Sequence, residues 1–295
     1  MSFATELRTA LAGIVENVGP AVVAVHPAGT RARGSGFVID KTGLVLTNAH
    51  NVAGDTVTVS VAGAEHDATV AGRDAVNDLA VIRLPGGSYA ALELGAPAAP
   101  EVGEPVAAVA NPSGGGATVA FGTVTSINRT IRGPRGQLVE GMVVEHAAPV
   151  PRGGSGGPLV TLEGSLLGVN THRQSDGFYL ARVIDDGLRS VVERLARGED
   201  VSPPRLGVAV APAHVASRLR RAVGLPEATG VLIREVAPDG PAARAGLAEG
   251  DLITAIGPTR VATPDELHTA LRGASGTVTV DILRGVEGKT IEVSL

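Results

Sequence analysis

The chain has 295 residues, of which 44% are hydrophobic and 19% charged, a balance that allows buried cores and excludes global disorder. A formal net charge of −5 gives no electrostatic basis for binding nucleic acid. The sequence lacks cysteine, which excludes disulfides and thiolate chemistry, and its seven histidines form no HExxH pattern. We therefore expect neither a metal nor another cofactor.

The first predicted element is an amphipathic helix in residues 1–18, where Glu6, Arg8 and Glu16 interrupt the apolar positions. This charged pattern is unlike a signal peptide, and no apolar run approaches the ~20 residues of a membrane helix. We expect no membrane segment and a cytoplasmic location for the chain as written. A chain that had lost an export segment would have the same sequence pattern and would be extracytoplasmic.

Short apolar or alternating runs follow from residue 19 onward, separated by clusters of Gly, Pro, Asp or Asn. Many short strands at such spacing predict a sandwich or barrel and not a parallel α/β sheet. The predicted strands are Ala21–Val25, Gly36–Asp40, Leu44–His50, Val57–Gly63, Leu79–Leu84, Pro105–Ala110, Thr118–Ile127, Met142–Ala147, Ser165–Asn170 and Phe178–Ile184.

A second helix is predicted after these runs, with Asp185 or Asp186 as its cap and four apolar residues between 188 and 195 on one face. Residues 197–204 are polar and contain two adjacent prolines, which is typical of a linker. The first domain is thus expected to span residues 19–196.

The remaining residues, 205–295, have the length of one small domain and combine strands with two helical stretches. The second helix has a clear predicted start. Thr263 is a good N-cap, Pro264 suits the first helical position, and Glu266 completes a capping box.

The segment Gly153–Val160, GGSGGPLV, places one hydroxyl, that of Ser155, among glycines. Glycines let a substrate approach the main chain closely. Acyl transfer needs a bare hydroxyl and nearby backbone N–H groups that point at the developing oxyanion. Taken alone, the segment is equally well explained as a flexible turn with an idle serine.

Two further residues supply a base and a group to orient it. His50 ends TNAH, and Asp78 precedes the strand LAVIRL. Alone, such a histidine is more often a packing residue and such an aspartate a turn residue. Their order with Ser155, however, is the order of chymotrypsin-type enzymes and differs from those of subtilisins and α/β-hydrolases.

Five motifs in chain order, GSGFVID, LTNAHNV, NDLAVIRL, ANPSG and GGSGGPLV, resemble the HtrA/Deg family of trypsin-like serine proteases. The resemblance covers roughly residues 8–295. It implies a mainly β protein, in which a chymotrypsin-like double β-barrel with the active site between its barrels precedes an α+β PDZ domain.

The resemblance also implies roles for individual residues. His50 would be the general base and then the acid, Asp78 would fix its tautomer, and Ser155 would be the nucleophile. The backbone N–H groups of Gly153 and Ser155, with Gly154 between them, would form the oxyanion hole. The segment after the active-site strand, Thr171–Gly177, would wall the primary specificity pocket, with Thr171 and His172 as substrate-binding residues.

The sequence departs from the family pattern before the serine. The family commonly has Asn-Pro-Gly-Asn there, whereas this chain has Pro151-Arg152-Gly153-Gly154, which adds a charge and is expected to loosen the loop. The family often has a switch loop further upstream. Here that stretch, Asn128–Gly141, carries three arginines and is either a solvated loop or a sensor that contacts the PDZ domain or a neighbouring subunit.

In the PDZ-like part, the resemblance places the carboxylate-binding loop at RLGVAV. The backbone N–H groups of Leu206, Gly207 and Val208 would hold a peptide C-terminus, and the ligand would add a strand to the sheet edge. The helix over Glu266–Leu271 would form the other wall of the groove, and AGLAEGDLI is a supporting signature.

These features predict a serine endopeptidase that cleaves unfolded or misfolded polypeptides in protein quality control and is regulated by peptide C-termini. The alternatives are a peptide-binding holdase with an idle triad and, less favoured, an esterase or acylase for small molecules. Family members usually form trimers, so we expect a homotrimer. Phe3, Leu7 and Leu11 would either contribute to that contact or pack on their own barrel.

Overall fold

The computed structural model describes residues 2–27, 34–95, 99–127, 129, 141–175, 177–199, 204–211, 213–272, 274 and 276–295, without the side chains of 172–175, 213 and 272. Their contacts divide the chain into two compact units, Met1–Ser202 and Pro203–Leu295.

The first unit begins with helix α1, Phe3–Asn17, which Ser2 caps by accepting a hydrogen bond from the Thr5 backbone N–H at 3.4 Å. Ile14 is buried and Leu11 packs partly on the core, whereas Phe3 is 72% exposed. One turn of 3-10 helix, Gly19–Ala21, leads from α1 into the first strand.

Two closed six-stranded antiparallel barrels follow, which confirms the predicted chymotrypsin-like architecture. The strands of the first barrel are β1 (Val22–Pro27), β2 (Gly34–Val38), β3 (Leu44–Thr47), β4 (Thr56–Val61), β5 (Ala64–Asp74) and β6 (Leu79–Arg83), in the order β1-β2-β3-β6-β5-β4. Those of the second are β7 (Pro105–Ala110), β8 (Thr118–Ser126), β9 (Val143–His146), β10 (Pro158–Thr161), β11 (Leu166–Ser175) and β12 (Phe178–Val183), in the order β10-β11-β12-β9-β8-β7.

Alternate residues of several strands belong to different cores, as the period of two allows. In β3, Val45 belongs to the interior of the first barrel, whereas its neighbour Leu46 belongs to a cluster shared with the second barrel. The second barrel contributes Val109 and Val169, among others, to that shared cluster. The two barrels are therefore one hydrophobic body, and residues on facing loops of the two barrels are held at fixed distances.

Helix α2, Asp186–Ala196, closes the unit. Of the two candidate caps, the structure uses Asp185, whose carboxylate accepts from the Leu188 backbone N–H at 2.7 Å. Leu188, Val192 and Leu195 are buried in the shared cluster, as their spacing predicts.

Strands β5 and β10 were not predicted, for different reasons. Most of β5 is exposed or half-exposed, so its polar residues, such as Glu65 and Asp67, leave no apolar run to recognise. Strand β10 has only four residues and lies within the glycine-rich segment that carries Ser155, where the pattern predicts a turn.

The second unit is an α+β domain with strands β13 (Val208–Val210), β14 (Val231–Val236), β15 (Leu252–Ile256), β16 (Thr259–Arg260), β17 (Thr277–Arg284) and β18 (Glu287–Ser294). They form a sheet of order β13-β14-β15-β17-β18, with β16 paired to β15. The helices are α3 (Ala213–Ala222), α4 (Pro241–Arg244) and α5 (Pro264–Arg272); the single turn α4 was not predicted.

The capping box of α5 is present as predicted. The Glu266 N–H donates to Thr263 Oγ1, and the Thr263 N–H donates to a Glu266 carboxylate oxygen, each at 3.2 Å. Among the helices of the described residues, none is long and apolar enough to cross a membrane.

Candidate active site

His50 and Asp78 meet because the strands next to them are paired. His50 lies in a 3-10 turn, Ala49–Asn51, just after β3, and Asp78 directly precedes β6, whose Ala80 is opposite Thr47 of β3. The two Asp78 carboxylate oxygens lie 3.0 and 2.9 Å from His50 Nδ1, and the His50 backbone N–H donates to Oδ1 at 3.1 Å. The Asp78 side chain is 11% exposed and that of His50 46%, so a buried carboxylate orients an accessible imidazole.

Asp78 is held in an unusual backbone conformation. Its φ is +54°, in the left-handed region that non-glycine residues rarely adopt. Asn48 Nδ2 donates to the Asp78 carbonyl at 3.0 Å, and Thr171 Oγ1 donates to the carboxylate at 3.1 Å. The role of Thr171 in walling the specificity pocket stays a prediction; its hydroxyl contacts Asp78.

Ser155 belongs to the second barrel and lies between β9 and β10. Its hydroxyl donates to the Thr171 carbonyl oxygen at 2.7 Å. A serine hydroxyl has one hydrogen, so in this rotamer that proton is not donated to His50. The Ser155 carbonyl accepts from Asn51 Nδ2 at 2.8 Å and from the Ser35 N–H at 3.0 Å, which fixes the serine to the first barrel. The catalytic step therefore requires the hydroxyl to leave the Thr171 carbonyl for another rotamer.

The backbone N–H groups around Ser155 differ in whether they are already hydrogen-bonded. The Gly154 N–H donates to the Pro151 carbonyl at 2.8 Å and closes a turn. Within the described part of the chain, the N–H groups of Gly153 and Ser155 have no hydrogen-bond acceptor. Those two N–H groups are therefore not engaged by the described residues, whereas that of Gly154 would first have to break its turn to bind an oxyanion.

Gly154 lies in a tight turn, whereas the sequence led us to expect that a glycine here would loosen the loop. A Cβ on Gly154 would lie 2.7 Å from Val150 Cγ1 and 2.9 Å from the Pro151 carbonyl oxygen. The turn therefore has no room for the side chain that the family commonly carries there.

The second unit contains the three residues that the sequence predicts to bind a peptide C-terminus. Leu206 is buried, Gly207 has a φ of +77°, and Val208 opens β13, the edge strand of the sheet. Within the described chain, the N–H groups of Leu206 and Gly207 have no acceptor. Val208 packs against the cluster that contains Leu267 of α5, so the edge strand and this helix share one apolar surface.

Comparison with known proteins matches both units. Residues 34–169 match the trypsin-like peptidase domain family, and residues 204–295 match the PDZ domain family. A protein of Synechocystis named putative serine protease HhoA is 33% identical over 86% of this chain and 68% of its own length. A probable periplasmic serine endoprotease, DegP-like, of Halomonas elongata is 33% identical over 92% of this chain.

The chain belongs to the HtrA/Deg family of trypsin-like serine proteases. A solved structure titled "HtrA-type protease AlgW with decapeptide" is 26% identical, with a TM-score of 0.71, and covers 96% of this chain and 97% of that one. The chain spans 57% of the length of the Halomonas relative.

Polar residues inside the HtrA/Deg motifs build the support of the site, which the sequence did not reveal. Ser35 Oγ donates to the Gly153 carbonyl at 2.9 Å and accepts from the Asn111 N–H at 3.0 Å. Thr47 Oγ1 donates to the Ser35 carbonyl at 2.6 Å. Three of the quoted motifs contain these residues, Ser35, Thr47 and Asn111. A small polar residue inside a motif could therefore have been recognised as a supporting residue of the site.

His146, to which the sequence assigned no role, is the last residue of β9. It is fully buried, its ring stacks on Tyr179 at a centroid distance of 6.0 Å, and neither ring nitrogen makes a hydrogen bond of good geometry to a described residue. Burial lowers its pKa to about 4, against weaker opposing effects of the Asn170 side chain and the Ala148 backbone. The imidazole is therefore neutral at pH 7.

Other predicted features fall outside the described residues. These are the His172 side chain and the stretch Asn128–Gly141 apart from Arg129 and Gly141. Arg129 lies 3.3 Å from a carboxylate oxygen of Glu145 on β9.

Proposed function

We propose that this HtrA/Deg chain is a serine endopeptidase that cleaves unfolded or misfolded polypeptides in protein quality control. The observation that carries the proposal is the His50–Asp78 pair, held at 2.9 Å, with Ser155 bound to the carbonyl of the same Thr171 whose hydroxyl contacts Asp78. Histidine, aspartate and serine on facing loops of two barrels are the parts that acyl transfer requires.

The steps follow from these positions. Ser155 Oγ turns from the Thr171 carbonyl towards His50, gives it the proton and attacks the scissile carbonyl. Asp78 stabilises the imidazolium, and the N–H groups of Gly153 and Ser155 bind the oxyanion, each lowering the barrier by about 3 kcal/mol. His50 then protonates the leaving amine, and water hydrolyses the acyl-enzyme on Ser155 with His50 again as the base.

Substitution of the nucleophile tests this proposal. Ser155→Ala should abolish cleavage of casein while its far-UV circular dichroism and melting temperature stay close to those of the wild type. Ser165→Ala makes the same chemical change at an exposed turn of the same unit and should cleave normally. Casein cleavage by Ser155→Ala at the wild-type rate would refute the proposal.

We further propose that a peptide C-terminus binds the loop at Leu206–Val208 and stimulates cleavage. The support is the pair of N–H groups that have no acceptor among the described residues, beside the edge strand β13, where an extended peptide can add a strand. Fluorescence anisotropy should show binding of peptides with a free apolar C-terminus and much weaker binding of the same peptides as C-terminal amides. Equal binding of the two forms would contradict a carboxylate site.

One observation favours the holdase as the second candidate. The Ser155 hydroxyl donates to the Thr171 carbonyl, so in this rotamer it does not give its proton to His50. A fluorophosphonate probe distinguishes the two candidates: labelling of Ser155, alone or with added peptide, supports the endopeptidase. The absence of labelling in both conditions supports an idle triad. Preference for small esters over casein would favour an esterase.

The quaternary structure is a proposed homotrimer in which α1 takes part. Phe3 is 72% exposed at the start of α1, and Val15 is 47% exposed near its end. Light scattering should give the mass of three chains for the wild type and a smaller mass for Phe3→Asp. A monomeric wild type would refute the trimer.

We propose an extracytoplasmic location over the cytoplasmic alternative, because the Halomonas relative is named periplasmic. Fractionation of the native host followed by immunoblotting tests it. Signal confined to the cytoplasmic fraction would contradict it.

A further inference from the structure

Arg182 is a buried cation in strand β12 that the steps above do not use. Its residue exposure is 3%, although it lies in the apolar run FYLARV. Burying a guanidinium costs free energy unless its hydrogen bonds repay that cost, so the partners of such a side chain indicate its role.

The guanidinium reaches across the two barrels. Arg182 Nη1 donates to the backbone carbonyl of Asn77 at 2.8 Å, over a separation of 105 residues. Asn77 belongs to the first barrel and directly precedes Asp78, whereas β12 belongs to the second. The bond therefore connects the strand beside β11, which carries Thr171, to the turn that carries the triad carboxylate.

The Asn77 carbonyl, which accepts this hydrogen bond, is directly linked to the backbone conformation of Asp78. The Asn77 carbonyl lies in the peptide plane whose rotation sets φ of Asp78, and that φ is +54°. The next carbonyl, that of Asp78 itself, accepts from Asn48 Nδ2 at 3.0 Å. Arg182 and Asn48 thus fix the two peptide planes that flank Asp78, and a left-handed residue other than glycine persists only where its surroundings enforce it.

Other groups of the turn are held by a residue of the first barrel. The buried Asp74 carboxylate accepts from the Val76 and Asn77 backbone N–H groups at 3.0 Å each, and from Asn77 Nδ2 at 2.6 Å. These bonds hold Asn77 but leave its carbonyl to be oriented by another group. Arg182 supplies that orientation.

We infer that Arg182 is a positioning residue for the protease reaction, which holds the Asn77–Asp78 peptide so that the Asp78 carboxylate faces both His50 and Thr171. The inference rests on the proposed roles of the triad. It differs from a purely structural role, in which Arg182 would connect the barrels and contribute to stability without acting on Asp78.

A double-mutant cycle with Asp78 separates these roles. In the wild-type background, Arg182→Met should lower kcat on a fluorogenic peptide by about 10- to 100-fold, as expected for a small misplacement of a catalytic group, while KM stays within about twofold. In an Asp78→Ala background, the same substitution should change kcat/KM by less than about threefold, because the carboxylate that Arg182 orients is gone. Arg182→Lys keeps the charge and should recover part of the lost kcat.

Arg83→Met is the matched control. Arg83 ends β6, the strand that follows Asp78, and its Nη2 also donates to a backbone carbonyl, that of Ala196 at 2.8 Å, but away from the triad. It should keep wild-type kcat. Melting temperatures of all variants show whether they fold. If Arg182→Met does not fold, the same measurements are made on Arg182→Lys and Arg182→Gln.

Two results would overturn the inference: kcat of the Arg182 variants within twofold of the wild type, or an equal cost of Arg182→Met in both backgrounds. Either can occur while Ser155→Ala is inactive, so failure of this inference is distinct from failure of the proposed protease function.

Discussion

The buried imidazole of His146 should make the barrel unit lose stability in mild acid. Burial lowers its pKa to about 4 in the folded chain, whereas an unfolded histidine has a pKa of about 6.5. Between these values the unfolded state binds the proton and the folded state does not, so unfolding becomes easier as the pH falls. The contribution is fully present above pH ~6.5 and lost on descending to pH ~4.

The magnitude follows from the shift. A difference of about 2.5 pH units corresponds to about 3.5 kcal/mol of unfolding free energy at 1.4 kcal/mol per unit, of which about 3 kcal/mol is lost by pH 4. His146→Phe keeps an aromatic ring against Tyr179 and removes the titrating group. On going from pH 7 to pH 4, the wild type should therefore lose about 3 kcal/mol more unfolding free energy than His146→Phe does.

Urea unfolding followed by far-UV circular dichroism measures this difference, in a Ser155→Ala background that prevents autolysis. His66→Phe is the matched control, because His66 also contacts a tyrosine ring, at a centroid distance of 6.2 Å from Tyr89, but is only partly buried. Contributions from the carboxylates cancel when variants are compared. The same pH dependence in His146→Phe and the wild type would refute the reasoning.

Further predictions concern the site and the PDZ unit. Gly156→Ala should abolish activity and lower the melting temperature, because φ is +89° and the new Cβ would meet a backbone oxygen of the first barrel; normal cleavage would contradict this. Thr171→Val removes the hydroxyl bond to Asp78 and should lower kcat about tenfold without changing KM, measured on a peptide substrate. Arg284→Met leaves the buried Asp251 carboxylate without its 2.8 Å ion pair. It should destabilise the PDZ unit, measured as a lower urea midpoint, and an unchanged midpoint would contradict the pairing.

The chemistry of the site could be predicted from the sequence because each candidate lies in a short local pattern. Ser155 lies in a glycine-rich turn, and His50 and Asp78 lie next to strands whose apolar runs are clear. Their meeting follows from the pairing of β3 with β6 and from the shared core between the barrels. The strands without an apolar run, above all β5, could not be predicted, because their pattern depends on which barrel face is solvated.

The supporting groups escaped prediction because their partners are remote in the sequence. Arg182 and Asn77 are separated by 105 residues, and Ser35 and Gly153 by 118. Buried polar residues in apolar strands, such as Arg182 and His146, are exceptions to the strand pattern. Such an exception indicates that the side chain makes a specific contact, but the sequence does not identify the partner.

Trapping of the acyl-enzyme tests the central claim most directly. An activated ester of a cleavable peptide should acylate faster than the product hydrolyses, so acid quenching and mass spectrometry should find the acyl group on Ser155. The adduct should be absent from Ser155→Ala and should form far more slowly in His50→Ala. Turnover of the ester with no adduct on Ser155, or with an adduct on another residue, would contradict the assignment of Ser155 as the nucleophile.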